Sequence, residues 1–371
     1  MIDLFMPFRS FLKFENISID NNVFRMHYKY TVIVLLVFTL LVTSKQFFGD
    51  PIHCMNDSEK DVDKDAINSY CWIYGTYTLK SQLVGKGIGG KHNAYPGVGP
   101  NGINDEQIKH TYYQWVCFVL LGQAVMFYTP RYLWKLWEGG RLKVLASDLA
   151  NPMVTKDWAE YRREELVSYL KYTNVYTHNT YALRFAFCEL LNLINVVSQI
   201  FILDIFLGGA FRNYGAAVAF THIPRVPSDF LDFNSVNPMD QYFPKLTKCW
   251  FRNYGPSGSI QLKDRLCVLP LNIVNEKIFV ILWFWLIFLA FITTFAVCFR
   301  LLVFSLRPLR TFMIMGQLRY VKRHIVSRIT KHFGFGDWFI LYLLGKNINP
   351  IIYKDLITEI SVAIEKKPSM V

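Results

Sequence analysis

The sequence predicts an all-α membrane protein with four transmembrane helices per subunit and sizeable polar segments between them. Three observations carry that reading: the composition, four long apolar runs, and the distribution of seven cysteines among the intervening segments. Of the 371 residues, 52% are hydrophobic, 16% aromatic and 18% charged, too apolar for a chain that stays disordered. Seven cysteines in this length are far too sparse for a small disulfide scaffold. The mean hydropathy of +0.21 is modest, so the bilayer accounts for a minority of the chain.

A bilayer core of about 30 Å requires about 20 apolar residues in a helix. Residues 30–48 carry no charge before Lys45, and residues 279–303 are interrupted only by Arg300. Residues 112–128 are uncharged but short; the run continues through Pro130 into Arg131, Tyr132, Leu133, Trp134 and Lys135, a mixture suited to the membrane interface. Residues 185–207 tolerate Glu189 and Asp204. They also place Asn192, Asn195 and Gln199 on one helical face, as hydrogen bonding between helices inside a bundle requires. The first run is longer than the about 7–15 residues of a signal-peptide core and lacks a small-residue cleavage site, so it reads as a permanent span. The chain thus divides into an N-terminal segment 1–29, spans at 30–48, 112–130, 185–207 and 278–303, connections at 49–111, 131–184 and 208–277, and a tail 304–371.

Cysteine placement orients these segments. Cys54 and Cys71 lie in the first connection, Cys249 and Cys267 in the third, and the tails and middle connection contain none. Disulfides persist on the oxidising side of a membrane, so the first and third connections are expected outside the cell. Charge points the same way. The tail after Val303 has 11 Lys+Arg against 4 Asp+Glu, the middle connection 9 against 6, and the first connection 6 against 8. The bias of basic residues toward the cytosol places both termini and the middle connection there. The third connection, at 8 against 5, is long enough to translocate regardless of charge. The formal net charge of +12 therefore reads as an inside-positive surface in contact with membrane lipid. No motif points to nucleic acid.

The cysteine pairs enclose 16 and 17 residues, wider than the tight spacings of zinc sites, so two disulfides are expected and no metal; spacing leaves three connectivities open. Asn56-Asp57-Ser58 is a glycosylation sequon in the first connection. No catalytic constellation is visible, and no cofactor is expected. Gly85 to Lys91 satisfies a glycine-rich phosphate-loop pattern, but His92 stands where Ser or Thr should follow, and no βαβ unit surrounds it. Gly255-Pro256-Ser257-Gly258-Ser259 misses the nucleophile-elbow pattern at its last position.

Tyr112-Tyr113-Gln114-Trp115-Val116, opening the second span, resembles the YYQWV signature of the innexins, the invertebrate gap-junction proteins. Further stretches resemble the same family: Tyr128-Thr129-Pro130-Arg131 and Trp137-Glu138-Gly139-Gly140, Leu269-Pro270-Leu271-Asn272 and Asn275-Glu276-Lys277, and Gly336-Asp337-Trp338. The resemblance implies a ring of identical or mixed innexin subunits, eight per hemichannel, around a wide aqueous pore. It implies that rings on apposed cells dock through their extracellular loops and pass ions and small molecules by diffusion. It further implies pairs Cys54–Cys267 and Cys71–Cys249, small β content in the loops, a helical cytoplasmic dome, and an N-terminal funnel in the pore mouth that includes Met1, Ile2, Asp3, Leu4 and Phe5. An undocked hemichannel and a four-span junctional adhesion protein without a pore are the alternative readings.

Several residues bear on those parts independently. Leu4, Phe5, Phe8, Phe11 and Leu12 form an amphipathic stripe, which suits either a funnel or an interfacial helix. Thr39, Thr43 and Gln46 form a weakly polar face on span one, suited either to pore lining or to hydrogen bonding between helices. Asp157 with Glu160 resembles a capping box before a helix to about Tyr172. Asp337 is expected to cap a short helix that stops at Gly345, and Asn349-Pro350 to start a last helix. The final Ser369-Met370-Val371 fits a PDZ-type ligand, read through the carboxylate of Val371.

Overall fold

A computed structural model describes residues 17–55, 63–83, 95–100, 102, 105–146, 149, 156–172, 175–222, 238–318 and 321–365. Met1 to Phe5, the Asn56 sequon, the 85–92 glycine loop and Val371 lie outside the described residues. In chain order the helices are α1 (Asn22–Phe48), α2 (Lys64–Tyr74), α3 (Lys80–Leu83), α4 (Val116–Glu138), α5 (Arg141–Ala146), α6 (Lys156–Tyr172), α7 (Val175–Phe206), α8 (Phe211–His222), α9 (Pro238–Tyr242), α10 (Pro270–Ser305), α11 (Arg307–Met315), α12 (Arg323–His332), α13 (Phe335–Asn347) and α14 (Pro350–Glu365). The strands are β1 (His53–Cys54), β2 (Thr76–Leu79), β3 (Gln107–His110), β4 (Leu246–Tyr254) and β5 (Ile260–Val268).

Four helices, α1, α4, α7 and α10, are long and apolar enough to cross a bilayer. Each extends past the corresponding apolar run, because a run marks only what hydrocarbon tolerates while caps outside it decide where a helix ends. Helix α1 begins at Asn22 rather than near residue 30, with the Asn21 side chain accepting from Phe24 N at 2.7 Å. Its wider π-helical turn, Met26–Thr31, lets the Thr31 hydroxyl donate to Met26 O at 2.8 Å. Helix α4 begins only at Val116, after a 3-10 turn at Tyr112–Gln114. It passes through Pro130 and ends at Gly139 and Gly140, both at positive φ.

The chain separates into two compact units: residues 1–32, 126–195 and 289–371 form one, residues 33–125 and 196–288 the other. The first is all-helical among its described residues, and its core gathers Trp134, Phe185, Trp338, Phe339 and Tyr353. Charges that weakened the third and fourth runs become partners there. Glu189 accepts from Arg300 Nε at 2.8 Å and Nη2 at 2.9 Å, and from Asn21 Nδ2 at 2.6 Å. A carboxylate in an apolar run is tolerable when a guanidinium grips both oxygens. Asn192 is buried, but neither its amide oxygen nor its amide nitrogen meets a hydrogen-bond partner among the described residues, so the bonding between helices expected of the stripe is not made at this position.

The second unit holds one antiparallel five-stranded sheet in the order β1-β5-β4-β2-β3. The Gly255 to Ser259 near-motif is the turn of the β4–β5 hairpin, with Gly255 N donating to Ser259 O at 2.8 Å and Gly258 at positive φ. Here Asp204, the other acid of the third run, pairs with Arg212 Nε at 2.7 Å, and Gln199 is buried.

Candidate functional site

The sheet is built across the two cysteine-bearing connections, and two disulfides fix it. Cys54 faces Cys267 in the β1/β5 register and is bonded to it. Cys71 on α2 is bonded to Cys249 on β4. Three of the four are buried; Cys54 is partly exposed. The sulfurs of Cys54, Cys71 and Cys267 lie within 4.8 Å of one another, but each is tied up in a disulfide and offers no thiolate to a metal.

Around the staples the sheet is locked by polar contacts. Lys248 Nζ pairs with Asp264 at 2.5 Å and donates to Gly99 O at 2.9 Å. His110, on the edge strand, shares a 2.8 Å hydrogen bond with Thr78 Oγ1. Burial holds its imidazole down at about 4, against the ordinary 6.5. Burial lowers the Lys245 ammonium, but Asp240 and Glu276, at 3.2 and 3.3 Å, outweigh it and leave it raised.

The Tyr112 to Val116 motif braces this sheet unit. Tyr112 donates to Tyr242 O at 3.2 Å, and its ring meets Phe243 edge-on at 5.7 Å. Tyr113 is buried against Trp72. The Gln114 amide donates to the carbonyls of Trp72 and Ile73, which end the helix that carries Cys71. Trp115 is exposed and Val116 buried. The motif therefore joins the start of α4 to the stapled helix. At the opening of α10, Asn272 is buried and donates to Pro244 O at 2.8 Å, while Glu276 sits between Lys245 and Lys277.

In the helical unit a second constellation holds the segment before α1. Asp20, 3% exposed, accepts from Arg25 at 2.8 Å, Arg131 at 3.1 Å and the Tyr28 hydroxyl at 2.9 Å. Trp134 Nε1 donates to Ile19 O at 3.1 Å. Ser18 N donates to Asn347 Oδ1 at 2.6 Å, and Asn347 Nδ2 returns a bond to Ser18 O at 2.9 Å. Residues 18–20 are thereby pinned to α4 and α13 together. Helix α13 is pinned in turn to α7: His178 Nδ1 and Asp337 Oδ1 lie 2.5 Å apart, and Gly336 N donates to Asn179 Oδ1 at 2.9 Å. A Cβ on Gly336 would stand 2.2 Å from the His178 carbonyl carbon, so only glycine permits that approach.

The innexin family model matches residues 20–364. Innexin inx2 of Schistocerca americana is 47% identical over 99% of both chains, and innexin inx2 of Drosophila melanogaster is 47% identical over 97% of this chain and 95% of its own. Innexin shaking-B of Drosophila melanogaster is 40% identical over 97% and 94%. The chain belongs to the innexin family. It is accordingly a gap-junction channel subunit, a multi-pass membrane protein that works in an oligomeric assembly, and not an enzyme.

Within this innexin, Thr39, Thr43 and Gln46 are half-buried on α1, and the Thr39 hydroxyl donates to its own Leu35 carbonyl at 2.8 Å. Pro130 lies inside α4 rather than at its end, so Arg131 and Trp134 project from a continuing helix onto Asp20 and Ile19. Asp337 sits at the third position of α13 and accepts from Gly334 N at 3.1 Å, and the helix runs past Gly345 to Asn347. Asp157 falls inside α6 rather than before it. Asn349 caps α14, accepting from Ile351 N at 3.0 Å. His178 and Asn347 leave no trace in the sequence because their partners, Asp337 and Ser18, lie 159 and 329 positions away; Asp20 has near partners in Arg25 and Tyr28, but its contact with Arg131 spans 111 positions.

Proposed function

We propose that this innexin forms a ring around an aqueous pore, and that two rings on apposed cells dock through the connections 49–111 and 208–277. In this reading those connections face outward, and both termini and the 131–184 connection face the cytosol. The N-terminal segment with Met1, Ile2, Asp3, Leu4 and Phe5 forms the funnel, and Thr39, Thr43 and Gln46 face the conduit below it. The observation that carries the reading is the pair of disulfides joining the first connection to the third through one sheet. Docking requires a surface whose shape is fixed before contact, since a mobile one loses ordering entropy on association. Two staples supply that fixity, and an oxidising compartment is where they persist.

The long helices also leave apolar surface uncovered in the single chain. Val37, Leu40, Leu41, Phe47 and Phe48 on α1 are exposed, which suits burial against lipid or neighbouring protomers. Paired cells that each express the protein should show electrical coupling. Conductance in single cells without coupling would instead indicate an undocked hemichannel, with a glycan on Asn56 as one obstruction to docking. Cell clustering with neither current would indicate an adhesion protein and end the channel reading.

A further inference from the structure

A cavity of about 310 Å³ opens in the helical unit where α1 begins, beside α7 and α10 and next to α13. Its walls are of two kinds. One is apolar: Phe295, Ala296 and Phe299 of α10 with Phe185, Phe339 and Leu343. The other is charged: Asp20, Glu189, Arg300 and Lys346. That volume lies at the lower end of the range for small-molecule and lipid-fragment sites.

The charges are unequally satisfied. Asp20 is held by Arg25 and Arg131, and Glu189 by both forks of Arg300. Lys346 has no carboxylate partner among the described residues; its ammonium rests 4.8 Å from the centre of the Tyr342 ring. The lining itself holds two cations, Arg300 and Lys346, and two carboxylates, Asp20 and Glu189. Both carboxylates are taken up by guanidinium partners, two of which, Arg25 and Arg131, reach Asp20 from outside the lining, and this leaves the Lys346 charge uncompensated. Arg300 keeps one terminal nitrogen beyond those bonded to Glu189, and its guanidinium lies 5.3 Å from both the Phe185 and Phe339 ring centres. The cavity therefore calls for an anion.

The apolar wall calls for a tail. Phe295, Phe299 and Leu302 fall at i, i+4 and i+7 on α10, and all three are exposed, forming one ridge that passes the cavity mouth. The same place is the start of the third apolar run, at Phe185, and the end of the fourth, at Arg300. A cation at the end of a span beside an outward apolar ridge matches an amphiphile lying at the interface with its headgroup inward.

We propose that this cavity binds one anionic phospholipid, its phosphate on Lys346 and Arg300 and an acyl chain along Phe295 and Phe299. The site requires only that the chain span a membrane, so it stands apart from the docking and pore reading. The test uses delipidated full-chain protein in neutral detergent, with bound lipid counted by native mass spectrometry. Phosphatidylserine, phosphatidylcholine and inorganic phosphate are titrated in separate arms. Phosphatidylserine should be retained on the order of tenfold more tightly than phosphatidylcholine, because the choline ammonium neutralises the phosphate that both lipids share, whereas the serine carboxylate leaves a net negative headgroup for the uncompensated Lys346. Lys346→Gln, at an exposed position, should remove most of that preference while leaving the melting temperature unchanged. Ala296→Trp should fill the cavity and reduce retention of both lipids. Equal retention of the two lipids by the unaltered protein, or an undiminished preference in Lys346→Gln, would overturn the site. Displacement of phosphatidylserine by millimolar inorganic phosphate would show a free anion to be the ligand and overturn the lipid assignment.

Discussion

The two units of this innexin keep their shape by different means. The sheet unit is assembled from short strands, the longest of nine residues, and is fastened by bonds between cysteines 213 and 178 positions apart. The helical unit contains no disulfide among its described residues. It relies on an aromatic core and on buried polar pairs: Asp20 with Arg131, Glu189 with Arg300, His178 with Asp337. Covalent staples serve where short strands from distant connections must be held in one register and the compartment permits oxidation. Paired charges serve where long helices already supply apolar surface and the remaining task is to select one arrangement. The first device makes a surface rigid; the second can rearrange without breaking a bond.

The largest effect should come from splitting a buried pair in the helical unit. Glu189→Leu strands the Arg300 guanidinium and should cost about 3–5 kcal/mol, read as a fall in melting temperature of the detergent-solubilised protein. Glu189→Leu with Arg300→Leu should recover most of it; no recovery would mean that the pair contributes something beyond charge compensation.

Breaking a staple comes next. Cys71→Ser should cost about 2–5 kcal/mol and abolish electrical coupling between paired cells, with the protein still reaching the membrane. Normal coupling in that variant would remove the argument that docking needs both disulfides.

Acid should act on the sheet unit through His110. Its folded value, about 4, lies below the ordinary 6.5, so the unfolded chain takes up the proton first. Stability is therefore intact above about pH 6.5 and declines as pH falls toward 4, by up to about 3 kcal/mol. Melting curves across that window should flatten in His110→Gln. An identical slope in that variant would assign the acid sensitivity elsewhere.

The smallest effect should be at a cap. Asn349→Ala removes the acceptor for Ile351 N and should cost about 1 kcal/mol, seen as faster hydrogen exchange confined to the first turn of α14.

Composition and periodicity sufficed for the four apolar helices, because the bilayer imposes a length and an apolarity that twenty consecutive residues either meet or fail. The cysteines of the two connections were legible for the same kind of reason: their placement between spans is a fact of the chain. The Asn349-Pro350 start of α14 was legible because a cap is satisfied within three residues. Helix limits were not: α1 starts at Asn22 through a cap that lies outside its apolar run, and α4 starts only at Val116 because a 3-10 turn takes up the first residues of its run. The sheet order β1-β5-β4-β2-β3, the bracing role of Gln114, and the His178–Asp337 and Glu189–Arg300 pairs were decided by tertiary structure alone. A side chain's partner across 100 or more residues leaves no periodic trace; only the fold, by bringing the two together and removing water, fixes what each charge means.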